Sequence, residues 1–127
     1  MKKRNSLFHS FQYAFSGLWY ALRTQRNARI HMLATITITT MGLWLRLDAP
    51  RWAVLILTIA LVFFAEMINT VAEVIIDMIT TEYHPLAKIA KDVSAGAVLI
   101  TALTAIIVGS LVLGPPLLAR LGFIIAE

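Results

Sequence analysis

From Val93 to Gly114 the chain carries no charged side chain. A helix needs about 20 such residues to cross the roughly 30 Å hydrocarbon core of a bilayer. This one stretch therefore directs the fold towards a membrane, and Pro115-Pro116 predicts its end. Two further apolar segments precede it. Ile30 to Leu45 is apolar apart from His31 and several threonines, and is slightly short for a span. Trp52 to Ala65 is uncharged, and its helical pattern continues through Glu66 to about Ile79. Arg46 and Arg51 bracket a turn at Asp48-Ala49-Pro50, and Pro85 suits the first turn of the last helix, where a missing N–H costs nothing. Composition agrees: 59% of the 127 residues are apolar and 14% charged, against roughly 45–50% and 25% in soluble domains. A soluble core of this size could not hide that much apolar surface. The absence of cysteine excludes disulfide scaffolds, thiol catalysis and thiolate metal centres.

The N-terminal segment reads differently. Phe8, Phe11, Phe15, Leu18 and Leu22 recur at spacings of three and four, forming one apolar helical stripe. The segment is too polar for a signal-peptide core and lacks a small-residue cleavage site. It predicts an amphipathic helix lying in the membrane interface. The expected fold is thus a single all-α membrane domain over residues 1–127. It comprises an interfacial helix over 1–29 and membrane helices over 30–47, 52–79 and 85–114.

The basic residues set the orientation. Lys2, Lys3, Arg4, Arg23, Arg26, Arg29, Lys88 and Lys91 fall on one side, against Arg46, Arg51 and Arg120 on the other. The N-terminus and the 80–92 connector are expected to face the cytoplasm. The net charge of +4 is then a topology signal and a lipid-headgroup contact, and no nucleic-acid partner is expected.

The chemistry concentrates on Glu66, Asn69, Glu73 and Asp77. Steps of three, four and four residues place them on one helical face within roughly 80° of arc. Three carboxylates and an amide on a span cost several kcal/mol against lipid, so they must face protein, water or cations. Oxygen donors of this kind suit Mg²⁺, which shares its shell with phosphates. The plainer reading is a helix leaving the bilayer with its charges solvated. Glu82-Tyr83-His84, then Lys88, Lys91 and Asp92, form a second polar cluster. It reads equally as an ordinary charged helix start or as a source of positive charge for phosphoryl transfer. Neither a P-loop nor a dinucleotide or protein-kinase fingerprint is present, and the three histidines are too scattered for a metal motif. Ala97, Thr101, Ala105 and Gly109 make a small-residue stripe suited to close helix packing.

The run from Ala65 through Asp77, containing E-x-x-N-[ST]-x-x-E-x-x-x-D, resembles the signature of the prokaryotic diacylglycerol kinase family. The resemblance continues through Tyr83-His84-Pro85-Leu86-Ala87-Lys88-Ile89-Ala90-Lys91-Asp92 and Ala95-Gly96-Ala97-Val98. Phe11 to Leu18 and Arg26 to His31 are similar as well, so nearly the whole chain is covered in order. The resemblance implies a small homotrimeric lipid kinase of the bacterial inner membrane, with a surface helix and three spans. It would move the γ-phosphoryl of MgATP onto a lipid hydroxyl, of diacylglycerol or undecaprenol. By position, Glu66 matches the catalytic base and Glu73 a metal ligand. Asn69, Asp77, Glu82, Tyr83, His84, Lys91, Asp92 and Tyr13 match nucleotide-site positions. The family's second metal ligand, commonly Glu, is Gln25 here. That departure supports the competing reading, a non-catalytic membrane scaffold or degenerate binding module.

Overall fold

The computed structural model describes residues 7–123. Lys2, Lys3 and Arg4, which the orientation argument uses, lie outside the described residues. Four helices follow in order: α1 Leu7–Thr24, α2 Arg26–Leu45, α3 Ala49–Ile79 and α4 Pro85–Arg120. The two longest, α3 with 31 residues and α4 with 36, reach about 46 and 54 Å at 1.5 Å per residue. Both are long and apolar enough to cross a membrane. α2, with 20 residues, opens on Arg26 and Arg29, and His31 and its threonines lower its hydropathy. Thr35, Thr37 and Thr40 return their hydroxyls to carbonyls one turn back, on His31, Leu33 and Ile36.

Helix ends follow local chemistry. Asp48 caps α3, its Oδ1 accepting from the Arg51 N–H at 3.0 Å, with Pro50 in the first turn. His84 caps α4, its Nδ1 accepting from Leu86 N–H at 3.2 Å, again with a proline following. α2 ends on Arg46 in the left-handed region, at φ 55°, a conformation that closes the last turn against Gly42 and Leu43.

Three expected boundaries change. The first helix stops at Thr24 and the second begins at Arg26, because Gln25 is extended and sends its side chain to α3 instead of solvent. Gln25 therefore stands at the α1–α2 junction, not on the surface helix. α3 begins at Ala49, since Asp48 and Pro50 together start it. α4 runs through Pro115-Pro116 to Arg120. The two prolines forgo N–H bonds to carbonyls one turn back. Gly114 precedes them and has no Cβ to clash with the Pro115 ring, the contact that normally forces the preceding residue out of helix.

α3 is the central helix. It packs most extensively against α4, α2 lies against both, and α1 lies against α2 and α3. Its inner face buries Leu55, Val62, Ala65, Glu66, Asn69 and Thr70. By contrast Leu57, Ile100, Ile106 and Leu111 on the two long helices are exposed, an outward apolar surface that suits lipid and not water. The α1 aromatics Phe8, Phe11 and Phe15 are also exposed. At Gly109, the last residue of the small-residue stripe on α4, a Cβ would meet nothing within 4 Å.

Candidate active site

Burial along α3 falls from Glu66 towards the connector. Glu66 is 1% exposed and Asn69 4%, Glu73 is half-buried and Asp77 exposed. The helix thus carries one polar face from the protein interior to its surface, over about 16 Å of rise from Glu66 to Asp77.

Three other segments join that face. Gln25 Nε2 donates to Glu73 Oε2 at 2.9 Å, and Asn69 Nδ2 donates to Glu73 Oε1 at 3.2 Å. The Ser94 hydroxyl on α4 lies 2.8 Å from Asn69 Oδ1 and 2.9 Å from the Lys91 carbonyl, a single proton shared between two acceptors. Lys91 Nζ meets Asp77 Oδ1 at 2.6 Å, and Lys88 pairs with Asp92 one turn along α4. α1–α2, α3 and α4 are therefore tied by directional bonds at one end of the bundle. Ser94 was not singled out from sequence. Its one signal is its place, three residues after Lys91 at the start of the uncharged part of α4.

Glu66 stands apart from this network. Thr70 Oγ1 donates to its backbone carbonyl at 2.8 Å, but among the described residues neither carboxylate oxygen has a hydrogen-bond partner. A buried carboxyl without a partner is costly, so its place calls for a function. Glu66 is the one charged residue lining a cavity of about 340 Å³ between α1, α2 and α3. Phe15, Trp19, Met32, Phe63 and Met67 supply much of the wall. Phe15 belongs to the apolar stripe of α1, and Phe63 and Met32 belong to no motif, because spacing does not reveal which helices meet.

A second, polar cavity of about 240 Å³ lies at the connector. Asp77, Glu82, Tyr83, His84, Lys91 and Asp92 all line it, so six of the eight residues matched to a nucleotide site share one recess. Asn69 lies deeper in the hydrogen-bonded network. Tyr13 is brought to neither: it is 59% exposed, its ring 6.4 Å from that of His9 on the outer part of α1.

Glu73 gives one carboxylate and Gln25 one amide, which fits an ion that also carries phosphate oxygens. No group of three or more His, Cys, Asp or Glu side chains converges among the described residues.

The apolar cavity holding Glu66 and the polar recess edged with lysines lie at different levels of α3, Glu66 and Asp77 being about 16 Å of rise apart. The family profile of prokaryotic diacylglycerol kinase matches residues 12–113, and the chain belongs to that family. It is a membrane lipid kinase that uses ATP. A diacylglycerol kinase of Synechocystis sp. is 48% identical over 115 residues, 90% of this chain and 66% of that protein. The undecaprenol kinase of Bacillus subtilis is 39% identical over 113 residues, 89% of this chain and 92% of that one. The diacylglycerol kinase of Escherichia coli K12 is 34% identical over 95 residues, covering 75% and 78%. These similarities do not favour the scaffold reading.

Proposed function

We propose that the chain transfers the γ-phosphoryl of MgATP to the hydroxyl of a long-chain lipid alcohol, diacylglycerol or undecaprenol, with Glu66 as the general base. The observation that carries this reading is the unpartnered Glu66 carboxylate inside an apolar cavity. An acceptor hydroxyl there would donate to it, completing the missing bond, while its hydrocarbon lies against Phe15, Trp19 and Met67. Glu66 takes the hydroxyl proton as the oxygen attacks the γ-phosphorus. The bond to the bridging oxygen breaks, ADP leaves, and the proton passes to water. Such a base contributes about 10²- to 10⁴-fold, and positioning and charge stabilisation supply most of the rest.

The nucleotide lies in the connector recess, where Lys91 neutralises phosphate charge and Asp77 and Asp92 hold the two lysines in place. Tyr83, Glu82 and His84 contact its base and ribose end, while Tyr13, exposed on α1 against His9, stands away from the recess. Glu73 and Gln25 would hold Mg²⁺, whose contribution is to offset charge on the phosphate oxygens. α1 lies in the membrane interface with its aromatics in lipid, α2 to α4 span the bilayer, and the N-terminus and connector are cytoplasmic. The chain works as a homotrimer, with part of the exposed apolar surface of α3 and α4 covered by neighbouring copies and the rest by lipid. Purified protein, labelled ATP and a panel of lipid alcohols test the activity. Labelled phospholipid from one acceptor is expected, and no labelled product from any acceptor with folded protein overturns the reading.

A further inference from the structure

We propose that this site takes up its divalent cation only together with the nucleotide, because two amides already occupy the one carboxylate that could hold a free ion. The inference rests on the kinase reading of the site and concerns how its metal arrives.

Glu73 is enclosed. Its Oε1 accepts from Asn69 and its Oε2 from Gln25, at 3.2 and 2.9 Å. The two amides are not equivalent. Asn69 Oδ1 receives the Ser94 hydroxyl at 2.8 Å, so its NH₂ must face Glu73. Gln25 makes no other side-chain hydrogen bond among the described residues, so its amide can turn over at the loss of one bond and present Oε1. In the arrangement observed, however, its N–H points its positive end at the oxygen a cation would need.

Glu82 lies nine residues beyond Glu73, in the connector recess, Asp48 caps α3 at its opposite end, and the other carboxylates among the described residues are committed elsewhere. Asp77 is paired with Lys91 and Asp92 with Lys88, and Glu66 lies two helical turns from Glu73, about 10 Å along the axis. Mg²⁺ gives up its waters reluctantly and is bound through one or two carboxylates plus substrate phosphates. One carboxylate screened by two N–H donors is a poor site for the bare ion. A cation carrying nucleotide phosphates brings its own anionic oxygens and needs from the protein only Glu73 and a turned Gln25. The same amide keeps the empty site free of repulsion. A Glu at position 25 would set two carboxylates about as close as the present hydrogen bond, an arrangement that requires a cation or a proton.

The test is equilibrium dialysis of the full chain in detergent micelles against Mn²⁺, with and without a non-hydrolysable ATP analogue. Wild type is expected to retain one Mn²⁺ per chain with the analogue and no saturable Mn²⁺ without it. Gln25→Glu should bind Mn²⁺ saturably without nucleotide, because an added anionic ligand strengthens a hard-cation site. Gln25→Ala, which uncovers Oε2 without adding charge, should fall between them. Each variant is checked by gel filtration and circular dichroism. Saturable nucleotide-free binding by wild type that Glu73→Gln abolishes overturns the proposal, as does a flat series across position 25. Failure of lipid phosphorylation would instead strike the kinase reading, since these affinities are measured without an acceptor.

Discussion

The two ends of the bundle are held by different forces. At the connector end, polar side chains meet across long sequence separations: Gln25 with Glu73, Asn69 with Ser94, Asp77 with Lys91. At the α2–α3 turn the polar bonds are local, Asp48 to Arg51 three residues away, and the distant contacts are made by rings. Trp52 packs on Gly42, where a Cβ would approach its ring carbons to 2.9 and 3.0 Å. Arg120 lies over Trp44, 4.7 Å from the ring centre. Ring packing holds two helices together without specifying any one atom to a fraction of an ångström. Directional bonds do specify atoms, and they gather where chemistry needs a carboxylate and an ammonium in defined places. The turn end is a clasp, and the connector end is where the site is proposed.

The largest expected effect breaks the connector end at its base. Glu66→Gln should lower kcat by about 10²-fold or more while ATP affinity stays close to the parent's, as read by lipid phosphorylation and nucleotide binding. Near-normal turnover in that variant would place the base elsewhere. Lys91→Met removes a charge from the recess and leaves Asp77 unpaired. Its turnover should fall by about 10²-fold, the usual cost of one charge-stabilising donor, and an unchanged kcat would mean that Lys91 only anchors α4.

At the turn end, stability should move and catalysis should not. Gly42→Ala forces Trp52 to shift, with an expected loss of about 1–3 kcal/mol as for other overpacked sites, measured by unfolding in mixed micelles. Turnover per folded molecule should match the parent, and Trp52→Leu in the same chain should restore stability. A fall in kcat with no loss of stability would erase the contrast between the ends. The smallest effect is that of Asp48→Ala. It removes the cap of α3 and should cost about 1 kcal/mol, and a kinase defect larger than the stability defect would show that the turn couples to the site.

The polar face of α3 was legible because a helix has one period. Glu66, Asn69, Glu73 and Asp77 must share a side wherever the helix lies, and the structure places all four along one face. The pairing of Gln25 with Glu73 was not legible. It depends on a one-residue break between α1 and α2, and an extended residue flanked by two helical runs leaves no mark in hydrophobic periodicity. The passage of α4 through Pro115-Pro116 was misread for a related reason. A proline pair states what the chain loses; Gly114, without a Cβ, eases the contact before Pro115, while Pro115 stays helical before Pro116 although it bears one. Tyr13 came from resemblance alone, and in the structure it lies out on α1 against His9.

Composition and periodicity by themselves determined an all-helical membrane chain, its order of elements and the face that bears the acids. Those follow from local backbone geometry and from the cost of placing charge in hydrocarbon, which act on each segment separately. Only the tertiary structure decided that Glu66 would sit without a partner in an apolar cavity and Glu73 between two amides. Both carboxylates lie on one helix, seven residues apart in sequence, with the same intrinsic chemistry. What separates them is which helix packs over each: α1 with its aromatic side chains beside Glu66, and the Gln25 junction with Ser94 of α4 around Glu73. Contacts between distant segments set that difference, and no single segment carries it.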